Sequence, residues 1–357
     1  MTSGNPTLHT IKKIVGYILP FLLMAVFLYF AFRNVDLNEA FNLISQVSIP
    51  YLFIFIIMFF LSHYLRAVRW KIMASSVKKD ISVMNSLGAT MIGYGVNCVV
   101  PRLGEIYRGL FLARWEGISR TSMLGTIVVE RIVDLLALGI SILISVMIYS
   151  GDLYKDVSWL SSALTIGMTI ILGLILILYF VVRFKEKFYS AIVKFIGKFS
   201  SSAAEKAAEA FHTLTEGFAS LKTWKSYMLT FVFTVLIMLA YGYNSFVGFY
   251  VLRMDEIQAV SFGMAWILMT ISAFGIIIPT PGGTGSYHAI IILVLTTLFS
   301  FSQEISAAYA ILTHIISYVS FILSTVFFTY FINKRQVKKG GKKENFLSVF
   351  KNSRETK

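Results

Sequence analysis

Glu130, Arg131 and Asp134 lie within the run Thr126–Leu138, among isoleucine, valine and leucine, where a bilayer-crossing helix has no ordinary use for charge. Residues four apart share a helix face, so Glu130 and Asp134 project together, and Arg131 reaches Asp134 three positions on. Near the centre of a membrane each such charge costs about 2.5–3.5 kcal/mol, so the trio needs partners, water or a ligand. Two chemistries fit: a polar cavity meeting a charged headgroup or a proton, or an internal ion pair that locks helix packing. The expectation is a mixture, with Arg131 held structurally by one acid and the other acid facing the cavity.

A second constellation reads Asn97-Cys-Val-Val-Pro101-Arg102-Leu-Gly104-Glu105, with Arg108 following. Proline removes a backbone donor and glycine admits angles that a helix does not use, so an apolar helix is broken here. Arg102, Glu105 and Arg108 then recur at three-residue intervals and are expected near one face. Two guanidiniums so spaced suit a phosphate, because each presents a planar fork of donors. The competing reading is anchoring at the membrane surface, since Arg114 and Arg120 come next. Asn97 and Glu105 favour function, as anchoring needs neither.

A third reads Pro279-Thr-Pro281-Gly282-Gly283-Thr-Gly285-Ser286-Tyr287-His288. It carries no fixed charge, only glycines and hydroxyls, and its exposed N–H groups at a helix start attract anions. The spacing is wrong for a dinucleotide fingerprint, and no strand precedes it. His288 titrates near neutrality in principle. It reads as isolated, as do His63 and His314, and an isolated intramembrane histidine is more often a packed hydrogen-bonding residue than a proton carrier. No Ser/His/Asp set, no metal pair and no cofactor motif is legible, so the chain is not read as an enzyme.

The elements that position these groups follow from composition. Of 357 residues 57% are hydrophobic and only 14% charged, with mean hydropathy +0.74, against roughly a quarter charged in soluble domains. The fold class is therefore all-α: a polytopic membrane helical bundle. Full spans are expected at about 14–32, 49–65, 122–149, 159–182, 226–252, 258–278, 288–302 and 306–332, about eight in all, each long enough for roughly 30 Å of hydrocarbon. Segment 81–100 is expected to be re-entrant, because a full crossing would place Arg102, Arg108, Arg114 and Arg120 outside. Treating 258–278 and 288–302 likewise leaves six crossings. Interrupted segments in two halves are compatible with an inverted repeat and point to a transport site.

The net charge of +14 follows the positive-inside rule rather than signalling nucleic acid. Segment Arg66–Lys79, segment Arg183–Lys225 and the tail Lys334–Lys357 are rich in Lys and Arg and are assigned to the cytoplasm, with both termini. The expected organisation is a cytoplasmic segment 1–13, one membrane domain 14–332 and a basic tail 333–357. Residues 184–225 form either an amphipathic cytoplasmic hairpin or a plain basic connector. The N-terminal apolar stretch lacks a small-residue cleavage site and reads as a retained span. The single cysteine, Cys98, excludes an internal disulfide.

Asn97 with Pro101-Arg102-x-Gly104-Glu105-x-x-Arg108, Glu130-Arg131-x-x-Asp134 and Pro281-Gly282-Gly283-x-Gly285, in this order, resemble the flippase-like membrane region of the lysylphosphatidylglycerol synthase family over about residues 10–335. The resemblance implies a multi-pass bacterial inner-membrane protein that moves a phospholipid-like or lipid-linked substrate between leaflets. Its substrate would meet the residues just quoted together with His288, where relatives often carry an acid. The cytoplasmic synthase domain is not expected, and synthase activity is not carried over. The expected partners are that lipid and an anionic membrane surface met by the basic loops and tail; homo-oligomerisation is left open. The alternative function is a non-transporting scaffold that tethers a cytoplasmic envelope- or lipid-synthesis partner.

Overall fold

The computed structural model describes residues 6–75, 77–151, 153–162 and 223–350, with scattered positions between 165 and 208, and the backbone alone before Ile18. The described residues form helices and no strand. In chain order these are α1 Pro6–Phe32, α2 Leu37–Ser45, α3 Ile49–Ala74, α4 Val83–Val99, α5 Gly104–Glu116, α6 Arg120–Ile148, α7 Trp224–Val251, α8 Phe262–Ile277, α9 Ser286–Phe299 and α10 Gln303–Lys338, with a short turn at Leu153–Asp156. Starts are set by side chains that accept the orphan N–H groups of a first turn: Asp36 takes those of Asn38 and Glu39, Ser119 that of Ser122, and Ser261 that of Met264. Five stretches are long and apolar enough to cross a membrane: Ile49–Ala74, Arg120–Ile148, Trp224–Val251, Pro281–Phe299 and Gln303–Lys338. Helices α1 and α2 form a further candidate bent by 85°. The expected span 159–182 and the expected hairpin 184–225 lie for the most part outside the described residues.

The chain divides into two compact units. One comprises Met1–Phe60, Gly93–Gly104 and Ala240–Thr325; the other comprises Leu61–Ile92, Glu105–Leu239 and Val326–Lys357.

In the first unit the two interrupted segments are the tips of helical hairpins. At the α4–α5 tip the Asn97 carboxamide oxygen accepts the N–H of Gly104 at 2.8 Å, joining the end of one arm to the start of the next. A Cβ on Gly104 would run into the carbonyl of Gly93, so only glycine lets the arms approach. At the α8–α9 tip Ser286 Oγ donates to the carbonyl of Gly275 at 2.6 Å, and at the far end Gln258 donates to the carbonyl of Phe299 at 2.7 Å. At 1.5 Å per residue the 16 residues of α8 and 14 of α9 reach only about 24 and 21 Å. Each helix alone is short of the ~30 Å hydrocarbon core, but with the turn before it Pro281–Phe299 counts 19 residues, so the re-entrant and the full-span alternatives both stand.

Helix α10 shows how the hairpins face each other. Tyr287 and Thr284, at the start of α9, meet Thr313 and His314. Cys98, at the end of α4, meets Tyr318, while Tyr94 stacks on Phe321 with ring centroids 4.6 Å apart. Moving away from the α9 tip leads towards the start of α10, whereas moving away from the α4 tip leads towards its end. The hairpins therefore approach from opposite directions and meet tip to tip beside Tyr318, the arrangement that an inverted repeat produces.

In the second unit Glu116 closes the open end of the α4–α5 hairpin. It pairs with Lys78 at 2.8 Å and accepts from the Ser82 N–H at 3.0 Å and the Asn85 amide at 2.7 Å. The tail is folded onto this unit. Asn333 donates to the Glu344 carbonyl and accepts the Glu344 N–H, Arg114 donates to the Ser348 carbonyl, and Phe346 packs edge-on against Tyr107 and Phe111. Val349 is fully buried. A lysine-rich composition permits either an ordered or a solvated tail, and these few anchors hold residues 344–350 in place.

Candidate functional site

The sequence-predicted residues fall into two groups, one in each unit. The group in the second unit is an ion cluster. Glu130 is fully buried and meets Arg66 at 3.0 Å, Arg69 at 3.2 Å and Arg108 at 2.8 Å. Asp134 pairs with both Arg66 and Arg69, and with Arg131 at 3.4 Å. Glu105 links Arg108 at 2.9 Å to Arg131 at 3.5 Å. Arg69 also donates to Thr234 at 3.0 Å, and the Arg108 guanidinium lies 4.9 Å from the Trp70 ring centre. Carboxylates that share several guanidiniums offset the cost of burying charge, which single pairs rarely do. Four guanidiniums face three carboxylates, leaving one positive charge.

One expectation changes here. Neither acid is left to a cavity, because Arg66 and Arg69 neutralise both. Arg131 does pair with Asp134, as expected, and also with Glu105, from the exposed rim of the cluster, its side chain 40% accessible. Arg66 and Arg69 were counted in the Lys/Arg-rich segment Arg66–Lys79 assigned to the cytoplasm, and both are buried. Their signal was present: three apart on a helix, they match the four-residue spacing of Glu130 and Asp134.

The group in the first unit lies where the tips meet. Arg102 precedes the first residue of α5, with φ +63°. It therefore lies outside the helix that carries Arg108, and the three-residue spacing does not put the two guanidiniums on one helical face. Its exposed guanidinium donates to the Ile277 carbonyl at 2.6 Å, tying the first tip to the last turn of α8. Pro281 and Gly283 are buried, and Gly282, Gly283 and Gly285 all have positive φ. A Cβ on Gly282 would sit 3.3 Å from the Cα of Cys98. One on Gly285 would stand 2.6 Å from the carbonyl of Met24, so α1 presses directly on this tip. Tyr318 donates to the Cys98 carbonyl at 2.6 Å.

His288 and His314 are not isolated: their ring centres are 4.6 Å apart. The 25 residues between them hid this in the sequence, because the hairpin return, not a helical repeat, brings them together.

These positions all fall within one family match. The model of the lysylphosphatidylglycerol synthase TM region matches residues 17–324. The chain belongs to that family. No curated protein and no solved structure matches it. The lysylphosphatidylglycerol synthase TM region thus includes both hairpins, the ion cluster and the histidine pair, while the docked residues 344–350 lie beyond it. Membership agrees with the apolar helices in describing a multi-pass membrane protein. Among the described residues no group of three or more His, Cys, Asp or Glu is arranged to hold a metal ion.

Proposed function

We propose that the protein is a carrier, not an enzyme, that moves a phospholipid-like substrate between the leaflets of a bacterial inner membrane, with both termini cytoplasmic. The observation that carries this reading is the meeting of two opposed, interrupted hairpins with Arg102 exposed at the junction. Broken helices at mid-membrane are the recurrent building blocks of transport sites, because their loosened backbone can be satisfied by a substrate or by a partner tip. One Arg102 donor is held by Ile277, and the guanidinium is otherwise open to a phosphate. The Glu130-centred cluster supplies a net positive environment in the other unit.

Arg102→Gly removes the guanidinium while suiting the left-handed backbone that Arg102 adopts. A charge-assisted hydrogen bond is worth about 1.5–3 kcal/mol. Short-chain anionic phospholipid is therefore expected to stabilise the wild type against heat, with roughly tenfold weaker apparent affinity in Arg102→Gly. Equal affinities would remove Arg102 from the headgroup site.

The scaffold reading has its own observation: Lys334, Arg335, Lys338, Lys339, Lys342 and Lys343 are exposed around the docked tail, a surface suited to anionic lipid or an acidic partner. Replacing Lys342 and Lys343 by glutamine separates the two. A carrier keeps lipid movement, and a scaffold loses its partner.

A further inference from the structure

Two imidazoles face each other beside the junction of the tips, and the headgroup contact proposed for Arg102 does not involve them. His288 lies in the first turn of α9 and is buried; its Nδ1 accepts the N–H of Gly285 at 3.3 Å. An acceptor Nδ1 fixes the neutral tautomer, with the proton on Nε2. His314 Nε2 hydrogen-bonds the Thr284 hydroxyl at 3.1 Å. A hydroxyl can donate or accept, so this bond survives protonation, whereas the bond from Gly285 does not.

The surroundings decide what the pair can bind. Helix α1 presents Phe32, and α9 presents Tyr287, whose hydroxyl meets Thr313. Helix α10 adds Tyr318 beside His314. Helix α8 has no titratable residue. At the first tip the titratable groups are Cys98 and Arg102, which bond elsewhere, through the Cys98 carbonyl to Tyr318 and from Arg102 to Ile277. Among the described residues of these elements no carboxylate pairs with either imidazole. Two rings 4.6 Å apart repel when both are charged, so the pair holds one proton at most.

We propose that His288 and His314 form a single-proton site that couples proton binding to separation of the two hairpin tips. In the closed packing the neutral His288 ring keeps the bond from the Gly285 N–H. Protonating His288 converts the acceptor of the Gly285 N–H into a donor and breaks that bond. A Cβ on Gly285 would meet the Met24 carbonyl, so α1 packs directly on the residue whose N–H makes this bond. Tip and proton are then linked reciprocally: opening admits water and a proton, and a proton favours opening. The role of this step in transport rests on the translocation reading; its test does not.

Cys98, the chain's single cysteine, is buried at the first tip and reports on the junction without further engineering. Full-length protein in lipid vesicles is labelled with N-ethylmaleimide from pH 5.5 to 8, alongside His288→Asn and His314→Gln. Both variants keep a hydrogen-bonding atom near the one they replace, and neither takes up a proton in this range. Maleimide attacks through the thiolate, so every rate falls as pH falls; the ratio of wild type to variant removes that trend. The expected result is a ratio that rises about tenfold between pH 8 and pH 5.5, within the usual range for coupled sites, with all three proteins eluting as folded species. A ratio flat across pH, or Cys98 inert at every pH, overturns the proposal. A rising ratio in a protein that moves no lipid keeps the proton site and discards translocation; lipid movement with a flat ratio does the reverse.

Discussion

Glu130→Gln is expected to cost about 3–5 kcal/mol, the range for breaking a buried ion network from one side, and to deplete monodisperse protein after extraction. The carboxylate is fully buried and meets Arg66, Arg69 and Arg108. Without its charge, two carboxylates face four guanidiniums, three of them (Arg66, Arg69 and Arg108) buried. The loss is read as a lowered unfolding midpoint in detergent. Arg131→Gln is the control: its side chain is 40% exposed, and it should cost less than about 1 kcal/mol. Adding Arg108→Gln to Glu130→Gln should recover part of the loss, because it removes one surplus cation. Additive losses in that double variant would show that the residues do not act as a network.

Gly104→Ala carries the second large effect. The added methyl meets the carbonyl of Gly93 and the side chain of Asn97, and the backbone carbonyl has no room to give way. Overpacking of this kind costs roughly 1–3 kcal/mol, and more where backbone must shift. The hairpin arms should part at the tip, weakening the Asn97–Gly104 bond. A fall of several degrees in melting temperature is expected, with faster maleimide labelling of Cys98 at constant pH. Gly117→Ala is a comparison of another kind: nothing lies within 4 Å, and any cost comes from its φ of +65° alone. Unchanged melting and labelling in Gly104→Ala would mean that the arms do not depend on this contact.

Much of the first hairpin was legible because proline and glycine act locally. Pro101 and Gly104 break an apolar run wherever it lies, and the charge that follows argues against a full crossing. The second break was equally visible in Pro279, Pro281 and the glycines at 282, 283 and 285, but the elements it meets were not. Long-range pairings were not legible. Counting positive charges along the chain groups Arg66 and Arg69 with surface lysines, although Glu130 and Asp134, more than sixty residues away, claim both. The assumption that Arg102 and Arg108 share a face failed for a local reason: the helix begins at Gly104, so spacing counted from Arg102 has no helical meaning. His288 and His314 meet only because the hairpin folds back along α10.

The most direct test of the central claim is lipid translocation in proteoliposomes, comparing wild type with Arg102→Gly for anionic, zwitterionic and cationic headgroups. Transport that depends on headgroup in the wild type, and falls about tenfold in a folded Arg102→Gly, is the predicted result. No transport of any headgroup, or equal transport by both proteins, would contradict a translocation site at the meeting of the hairpin tips.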